Sequence, residues 1–219
     1  MKAPFLGLLP GLVLLLALNA IRGRAAAVTT LPSVRSAARI TDPDAQKYML
    51  ALARLAFDTY AISRDVIEPP SPVPAFLAVR SGVFVSTMRH GAPRTCMGTL
   101  YPMQPNLAEE IIANAVASAG RDRRFAPVRP DELAGLDLIV SIVSDPEPIS
   151  ESAAESLDPA AQALAVKVGD RYGVVLSGET FSAATMVRWG RIRAGAGPSD
   201  AAQYFVLHDI RFMESQFSQ

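Results

Sequence analysis

The pairing of strand-like segments across short turns most constrains the fold. Residues 82–88 alternate between two faces, and residues 90–93 then supply turn chemistry before a second strand-like segment, which contains Cys96. Gly169-Asp170 is a favourable hairpin turn between two further segments. Short turns join antiparallel strands, and no βαβ alternation is evident. The sequence therefore predicts an α+β fold, with a mostly antiparallel sheet flanked by helices.

Helical periodicity follows two capping signals. Residues 41–43 offer a capping side chain and a first-turn proline, and apolar residues then recur at helical spacing as far as Tyr60. Asn106 with Glu109 three residues later makes a variant capping box, ahead of a short helix whose small residues permit close packing on a sheet. We expect a further helix over residues 180–193.

The closing segment predicts one strand over residues 204–212, because its apolar residues alternate. His208 would share a strand face with Val206 and Ile210, so a buried core histidine is favoured over a catalytic partner for the cysteine. His90, the other histidine, is interpreted as a turn residue.

The first thirty residues differ in composition from the rest. Lys2 precedes an apolar run from Phe5 to Leu18, and two arginines and three alanines follow. This order resembles a secretory signal, and the run is shorter than the roughly 20 residues that a bilayer span needs. Positive charge just after the run opposes translocation, which keeps two alternatives open, an uncleaved anchor or no export at all.

These patterns predict three regions. Residues 1–27 would be a signal peptide or an N-terminal anchor, residues 28–40 a linker, and residues 41–215 the folded domain. The expected location is outside the cytoplasm, secreted, periplasmic or attached to a membrane.

Charge and residue counts argue against several function classes. The chain has 21 basic and 21 acidic residues, and loss of residues 1–27 would leave 18 against 21, a net charge of about −3. We therefore expect no nucleic-acid partner, which would call for a basic face.

One cysteine and two separated histidines make no close pair of metal ligands, so no metal is predicted. Neither a P-loop nor a dinucleotide fingerprint is present, and we predict no cofactor.

The segment from Pro93 to Gly98 carries a resemblance to a known family. Together with residues 82–85, 125–148 and 172–179, it resembles the AMMECR domain family, whose signature reads L-R-G-C-I-G. Three of the six signature positions match, and Thr95 stands where the family has its first glycine. The resemblance implies two small, intimately packed subdomains with the signature lining a groove between them, and it implies no established reaction.

Cys96 is the candidate catalytic residue, because a thiolate favoured by nearby Arg94 would be a nucleophile. The alternative is a structural or groove-lining cysteine, since free cysteines are often buried as small hydrophobes. The predicted ligand-binding residues are those of the signature and of the basic cluster after the second helix: Arg94, Thr95, Met97, Gly98, Arg121 and Arg124.

Two function classes follow from these candidates. The first is a binding or accessory module, exported or tethered at the envelope, whose groove around Arg94, Cys96 and Gly98 holds a small molecule or a segment of a partner protein. The second is an enzyme that uses Cys96 in covalent or redox chemistry on a small anionic substrate. A purely structural cysteine in a domain that works through another surface is the third possibility.

Overall fold

A computed structural model describes residues 38–197 and 199–217 of the chain. The predicted signal or anchor, residues 1–27, and nearly all of the predicted linker lie outside these residues. Within the described part, none of the helices combines the length and the apolar character that a membrane span needs.

The described residues form two four-stranded antiparallel sheets, which confirms the α+β prediction. The first sheet has the strand order β2-β1-β3-β8 and comprises β1 (Gly82–Arg89), β2 (Ala92–Thr99), β3 (Leu136–Val143) and β8 (Asp209–Met213). The second has the order β4-β7-β5-β6 and comprises β4 (Glu147–Ile149), β5 (Ala163–Val168), β6 (Arg171–Val175) and β7 (Gln203–Leu207).

Four α-helices lie among these strands in the described part of the chain: α1 (Pro43–Ser63), α2 (Leu107–Gly120), α3 (Glu151–Ala154) and α4 (Ala183–Arg193). The predicted starts of the first two are confirmed. The Asp42 side chain accepts a hydrogen bond from the amide of Asp44 ahead of a first-turn proline, and the Asn106 side chain accepts one from the amide of Glu109 at 3.0 Å. The last helix starts later than predicted, because Ser182 caps it.

Three hydrophobic clusters hold these layers together. The largest packs α1 and α2 against one face of the first sheet, and it includes Phe57, Ile111 and Phe212. Ile40, the last residue of the predicted linker, is fully buried in it. A second cluster packs α4 against the second sheet. The third cluster, which includes Val143, joins the two sheets, so the face of the first sheet that is turned away from α1 and α2 meets the second sheet.

The prediction of a single closing strand over residues 204–212 is wrong. The chain leaves β7 at Leu207 and enters β8 at Asp209, and these two strands belong to different sheets. His208 lies at the crossing, where its amide donates to the Ser144 hydroxyl at 3.0 Å and its carbonyl accepts from the Ser144 amide at 2.8 Å. Because the backbone changes sheet at this residue, His208 does not lie on the buried face of either strand. Its side chain is exposed, and it is not a core histidine.

Candidate functional site

The signature residues lie on β2, whose side chains alternate between two environments. Thr95 is buried against α2, and its hydroxyl hydrogen-bonds with the hydroxyls of Thr87 at 2.8 Å and Ser118 at 2.7 Å. Cys96 is cross-strand partner to Ser86 of β1, and both lie on the face that meets the second sheet. Thr95, predicted to bind ligand, is therefore occupied in packing β2 onto α2.

The backbone of Cys96 is held by the loop that follows α2. Because β2 is an edge strand, one side of its backbone lacks a neighbouring strand. Asp122 accepts a hydrogen bond from the Cys96 amide at 2.9 Å, and Arg124 donates one to the Cys96 carbonyl at 3.0 Å. Burial opposes ionisation of Asp122, but hydrogen bonds from Arg124 and from this amide lower the pKa of the carboxyl group. The predicted ligand-binding residue Arg124 is thus also a structural clamp.

The thiol of Cys96 lies in a polar environment between the sheets. Burial raises the pKa of the thiol, and the negative charge of Glu179 acts in the same direction. A hydrogen bond with the Ser86 hydroxyl and the positive charges of Arg124 and Arg193 act to lower the pKa, but they do not overcome burial. The raised pKa favours the protonated thiol at neutral pH, which is the less nucleophilic form.

Glu179 reaches this environment through a tight turn after β6. The Glu179 amide donates to the carbonyl of Leu176 at 3.3 Å, and Gly178 between them has φ +72°, a conformation that favours glycine. Arg193, in the last turn of α4, donates to the Glu179 carboxylate at 2.6 Å and to the Val174 carbonyl at 2.6 Å. The ion pair leaves little net charge beside the thiol.

A concave pocket with a volume of about 890 Å³ lies next to β2, the strand that carries the signature residues. It is lined by one residue of β2 and by the segment that ends α2 and continues beyond it: Met97, Gly120, Arg121, Asp122, Arg123, Arg124, Phe125 and Pro127. We call it the β2 concavity. Three of the predicted ligand-binding residues, Met97, Arg121 and Arg124, come together here. Among the described residues, Arg121 and Arg123 have no acidic partner, and both are exposed.

Arg94 does not act on the thiol, contrary to the expectation from sequence. Its side chain donates to the Glu132 carboxylate at 2.8 Å and to the Ala126 carbonyl at 3.0 Å, and it stacks 5.6 Å from the centre of the Phe125 ring. Among the described residues the second terminal nitrogen, Nη1, has no hydrogen-bond partner. The arginines whose charges act on Cys96 are Arg124 and Arg193.

Gly98 has a packing role that the signature alone does not reveal. A Cβ atom at this position would lie 2.3 Å from Cδ1 of Phe84 and 2.5 Å from the Val83 carbonyl oxygen. Glycine is therefore required for the Phe84 ring to lie across β2. Packing against Phe84 is thus sufficient to explain why position 98 is a glycine, and no ligand contact is needed for that explanation.

Two polar side chains on the inter-sheet face lack well-formed hydrogen bonds to the described residues. Ser141 is fully buried, and its hydroxyl makes no hydrogen bond to any described residue. Asp209 pairs in register with Val143, two residues along β3, so both polar side chains lie on the same face of the sheet. Neither carboxylate oxygen of Asp209 makes a hydrogen bond of good geometry to a described residue, although the hydroxyl and the amide of Ser177 lie close enough to interact with the carboxyl group. Burial raises the pKa of this carboxyl group, although nearby Ser177 and Arg211 oppose the rise.

Sequence reasoning missed Ser86, Glu179 and Arg193 as neighbours of the thiol. They come from β1, from the turn after β6 and from α4, and no local spacing links them. The available signal was the segment Ser177-Gly178-Glu179, since a glycine between two polar residues after a strand indicates a tight turn.

Comparisons with known proteins agree with this fold. A protein of Thermotoga maritima is 42% identical over 121 residues, covering 54% of this chain and 68% of its own length. A Thermococcus gammatolerans protein is 36% identical over 153 residues, with coverage of 66% and 71%. The crystal structure of an uncharacterised protein from Pyrococcus horikoshii matches with a TM-score of 0.69 at 28% identity, covering 76% of this chain and 90% of that one. The family described as AMMECR1 matches residues 50–208, and the chain therefore belongs to the AMMECR1 family.

Proposed function

We propose that this AMMECR1-family domain is a binding module whose β2 concavity holds a small anionic ligand. The observation that carries the proposal is the pair of arginines, Arg121 and Arg123, that line the concavity and have no acidic partner among the described residues. Met97, Phe125 and Pro127 line the same surface. A ligand that combines a carboxylate or phosphate with an apolar or aromatic part fits this mixture.

The loop that carries these arginines is held in a defined position. Asp122 and Arg124 attach it to the backbone of Cys96, and Phe125 stacks against the guanidinium groups of Arg94 and Arg124. A site on a fixed loop loses less conformational entropy on binding than one on a free loop. The alternative is that Arg121 and Arg123 only complement the negative end of the α2 dipole.

Titration with 8-anilinonaphthalene-1-sulfonate, an aromatic anion, tests the proposal. We expect saturable binding that weakens with salt, and at least tenfold weaker binding for the double variant Arg121→Gln/Arg123→Gln. Arg188→Gln, which removes an exposed arginine of α4, is the matched control and should leave binding unchanged. Equal affinity of wild type and double variant would refute the proposal.

The alternative function, an enzyme with Cys96 as nucleophile, requires a thiolate near neutral pH. Burial raises the pKa of this thiol, which weighs against that function. Alkylation by iodoacetamide should therefore be slow in the native protein near neutral pH, and its rate should rise at a higher pH than in the denatured protein. A rate that is fast and flat from about pH 6 upward would restore the enzyme hypothesis.

We also propose that the chain is exported or tethered at the cell envelope by residues 1–27. The support is the sequence order of a basic residue, an apolar run and small residues. Cell fractionation, followed by mass determination of the mature N-terminus, tests this. A full-length protein in the cytoplasmic fraction would contradict it.

A further inference from the structure

The charged residues that line the β2 concavity do not cancel. They are Arg121, Asp122, Arg123 and Arg124, three cations and one anion. Arg124 donates to both carboxylate oxygens of Asp122, at 2.9 and 2.7 Å, so these two residues neutralise each other. Arg121 and Arg123 are exposed, and neither has an acidic partner among the described residues. Three arginines against one aspartate leave the lining of the concavity with a net charge of +2.

The end of α2 does not account for these two charges. A helix C-terminus is equivalent to roughly half a negative charge, which is about a quarter of the charge that Arg121 and Arg123 carry together. The carbonyls of Ala117 and Ala119 in the last turn are bound by backbone amides, that of Arg121 at 2.7 Å and that of Val128 at 2.9 Å. Neither guanidinium group is bonded to a described residue. Most of this positive charge is therefore available to a ligand.

We infer that the anionic group held in the β2 concavity is the phosphate of a small phosphate monoester. This inference rests on the proposed function and adds the chemical class of the ligand. A phosphate monoester carries about two negative charges at neutral pH and presents three acceptor oxygens, so it matches both guanidinium groups. A carboxylate or a phosphate diester carries a single negative charge, and it would leave one of the two arginines without a counter-charge.

The rest of the lining suits the organic part of such a ligand. Met97, Phe125 and Pro127 add apolar surface beside the arginines. The volume of about 890 Å³ lies within the range of roughly 300 to 1,000 Å³ that is typical of small-molecule sites. Inorganic phosphate alone would leave most of this space and the apolar side chains unused. We therefore expect an aromatic or aliphatic group on the phosphate.

Calorimetric titration of the full chain with phenyl phosphate and with methyl phenyl phosphate tests the inference. The two probes share the ring, but the second is a diester with one negative charge. We expect phenyl phosphate to bind about tenfold more tightly, because only the dianion neutralises both arginines. Arg121→Gln/Arg123→Gln should abolish this preference, whereas Arg121→Lys/Arg123→Lys keeps both charges and should retain it. Arg188→Gln on α4 is the matched control and should leave both affinities unchanged.

The outcomes separate this inference from the proposed function. Equal affinities for the two probes, both weakened by Arg121→Gln/Arg123→Gln, would overturn the phosphate monoester and leave an anion-binding module. No binding of either probe, or binding that this double variant leaves unchanged, would refute both proposals. Inorganic phosphate that binds as tightly as phenyl phosphate would overturn the assignment of an organic ligand. A phosphotyrosine peptide that binds about tenfold more tightly than phenyl phosphate would assign the site to a phosphorylated protein and would overturn the small-molecule class.

Discussion

Polar side chains on the two faces of the first sheet differ in how fully they are hydrogen-bonded. On the face that packs against α1 and α2, two networks of hydrogen bonds connect strand to helix: Thr87 with Thr95 and Ser118, and Thr99 with Glu110 and Asn114. On the face that meets the second sheet, the buried Ser141 hydroxyl has no hydrogen-bond partner among the described residues, and the Asp209 carboxylate has only the poorly aligned hydroxyl and amide of Ser177.

This difference separates polar groups that stabilise the fold through hydrogen bonds from polar groups that are buried without well-formed ones. Buried polar groups are normally paired, because an unpaired one loses its hydrogen bonds to water without replacement. The helix-facing networks meet that rule and are structural. The inter-sheet face departs from it, and it also holds Cys96 and Ser86, with Glu179 nearby on the turn after β6.

The strongest test of the helix-facing side removes the Glu110 carboxylate. Glu110 is 1% exposed, and it accepts hydrogen bonds from the amides of Met103 and Gln104, both at 2.7 Å, and from the side chains of Thr99 and Asn114. Glu110→Ala leaves these donors unpaired, so we expect the free energy of unfolding to fall by about 3 kcal/mol or more, measured by urea denaturation.

Glu109→Ala is the matched control for that change. The neighbouring Glu109 interacts with Asn106 at the start of α2, and its loss should cost only about 0.5 kcal/mol. Similar losses for the two variants would show that the buried network does not stabilise the fold.

Gly98→Ala tests packing on the inter-sheet face. The added Cβ would lie 2.3 Å from Phe84 and 2.5 Å from a backbone carbonyl, so both β1 and β2 would have to shift. We expect a loss of about 2 kcal/mol in the free energy of unfolding. Gly135→Ala, where no atom lies within 4 Å of the new Cβ, should change it by less than about 0.5 kcal/mol. A neutral Gly98→Ala would mean that the glycine is not needed for packing.

Local signals in the sequence predicted the elements but not how they meet. The Asn106 cap and a hairpin turn within residues 90–93 depend on neighbouring residues; the cap is confirmed, and the turn is shorter than predicted, since β2 already begins at Ala92. Periodicity could not predict the crossing at His208, because the apolar residues of the sequence keep alternating through the point where the chain passes from one sheet to the other. Cys96 could be identified from the sequence because it lies within a local motif. Its neighbours Glu179 and Arg193 could not, because they are more than eighty residues away along the chain and only the tertiary fold brings them together.

The paired variants Thr95→Val and Ser141→Ala compare the two faces directly. Thr95→Val removes a hydroxyl that bonds to Thr87 and Ser118, and we expect it to cost about 1.5 kcal/mol. Ser141→Ala removes a buried hydroxyl without a partner among the described residues, and it should be neutral or stabilise by about 0.5 kcal/mol. Urea denaturation of both variants decides the comparison. A loss of more than about 1 kcal/mol for Ser141→Ala would indicate an unseen partner for this hydroxyl.

The smallest expected effect depends on pH. Burial raises the pKa of Asp209, so the folded state holds this proton more tightly than the unfolded state. The resulting contribution to stability is fully present below the unfolded pKa of about 3.9, and it is lost as the pH rises through the raised pKa of the folded protein. Asp209→Asn removes this dependence, and it should be more stable than wild type by about 1 kcal/mol at pH 7.

Urea denaturation of wild type and Asp209→Asn between pH 4 and pH 8 measures the difference. We expect the advantage of the variant to grow with pH and then to level off above the folded pKa of Asp209. Asp137→Asn is the control, because Asp137 accepts hydrogen bonds from the amide and hydroxyl of Ser215 and should lose stability when neutralised. If Asp209→Asn instead destabilises the protein at pH 7, the folded state stabilises the carboxylate through a partner such as Ser177, and the contrast between the two faces would rest on Ser141 alone.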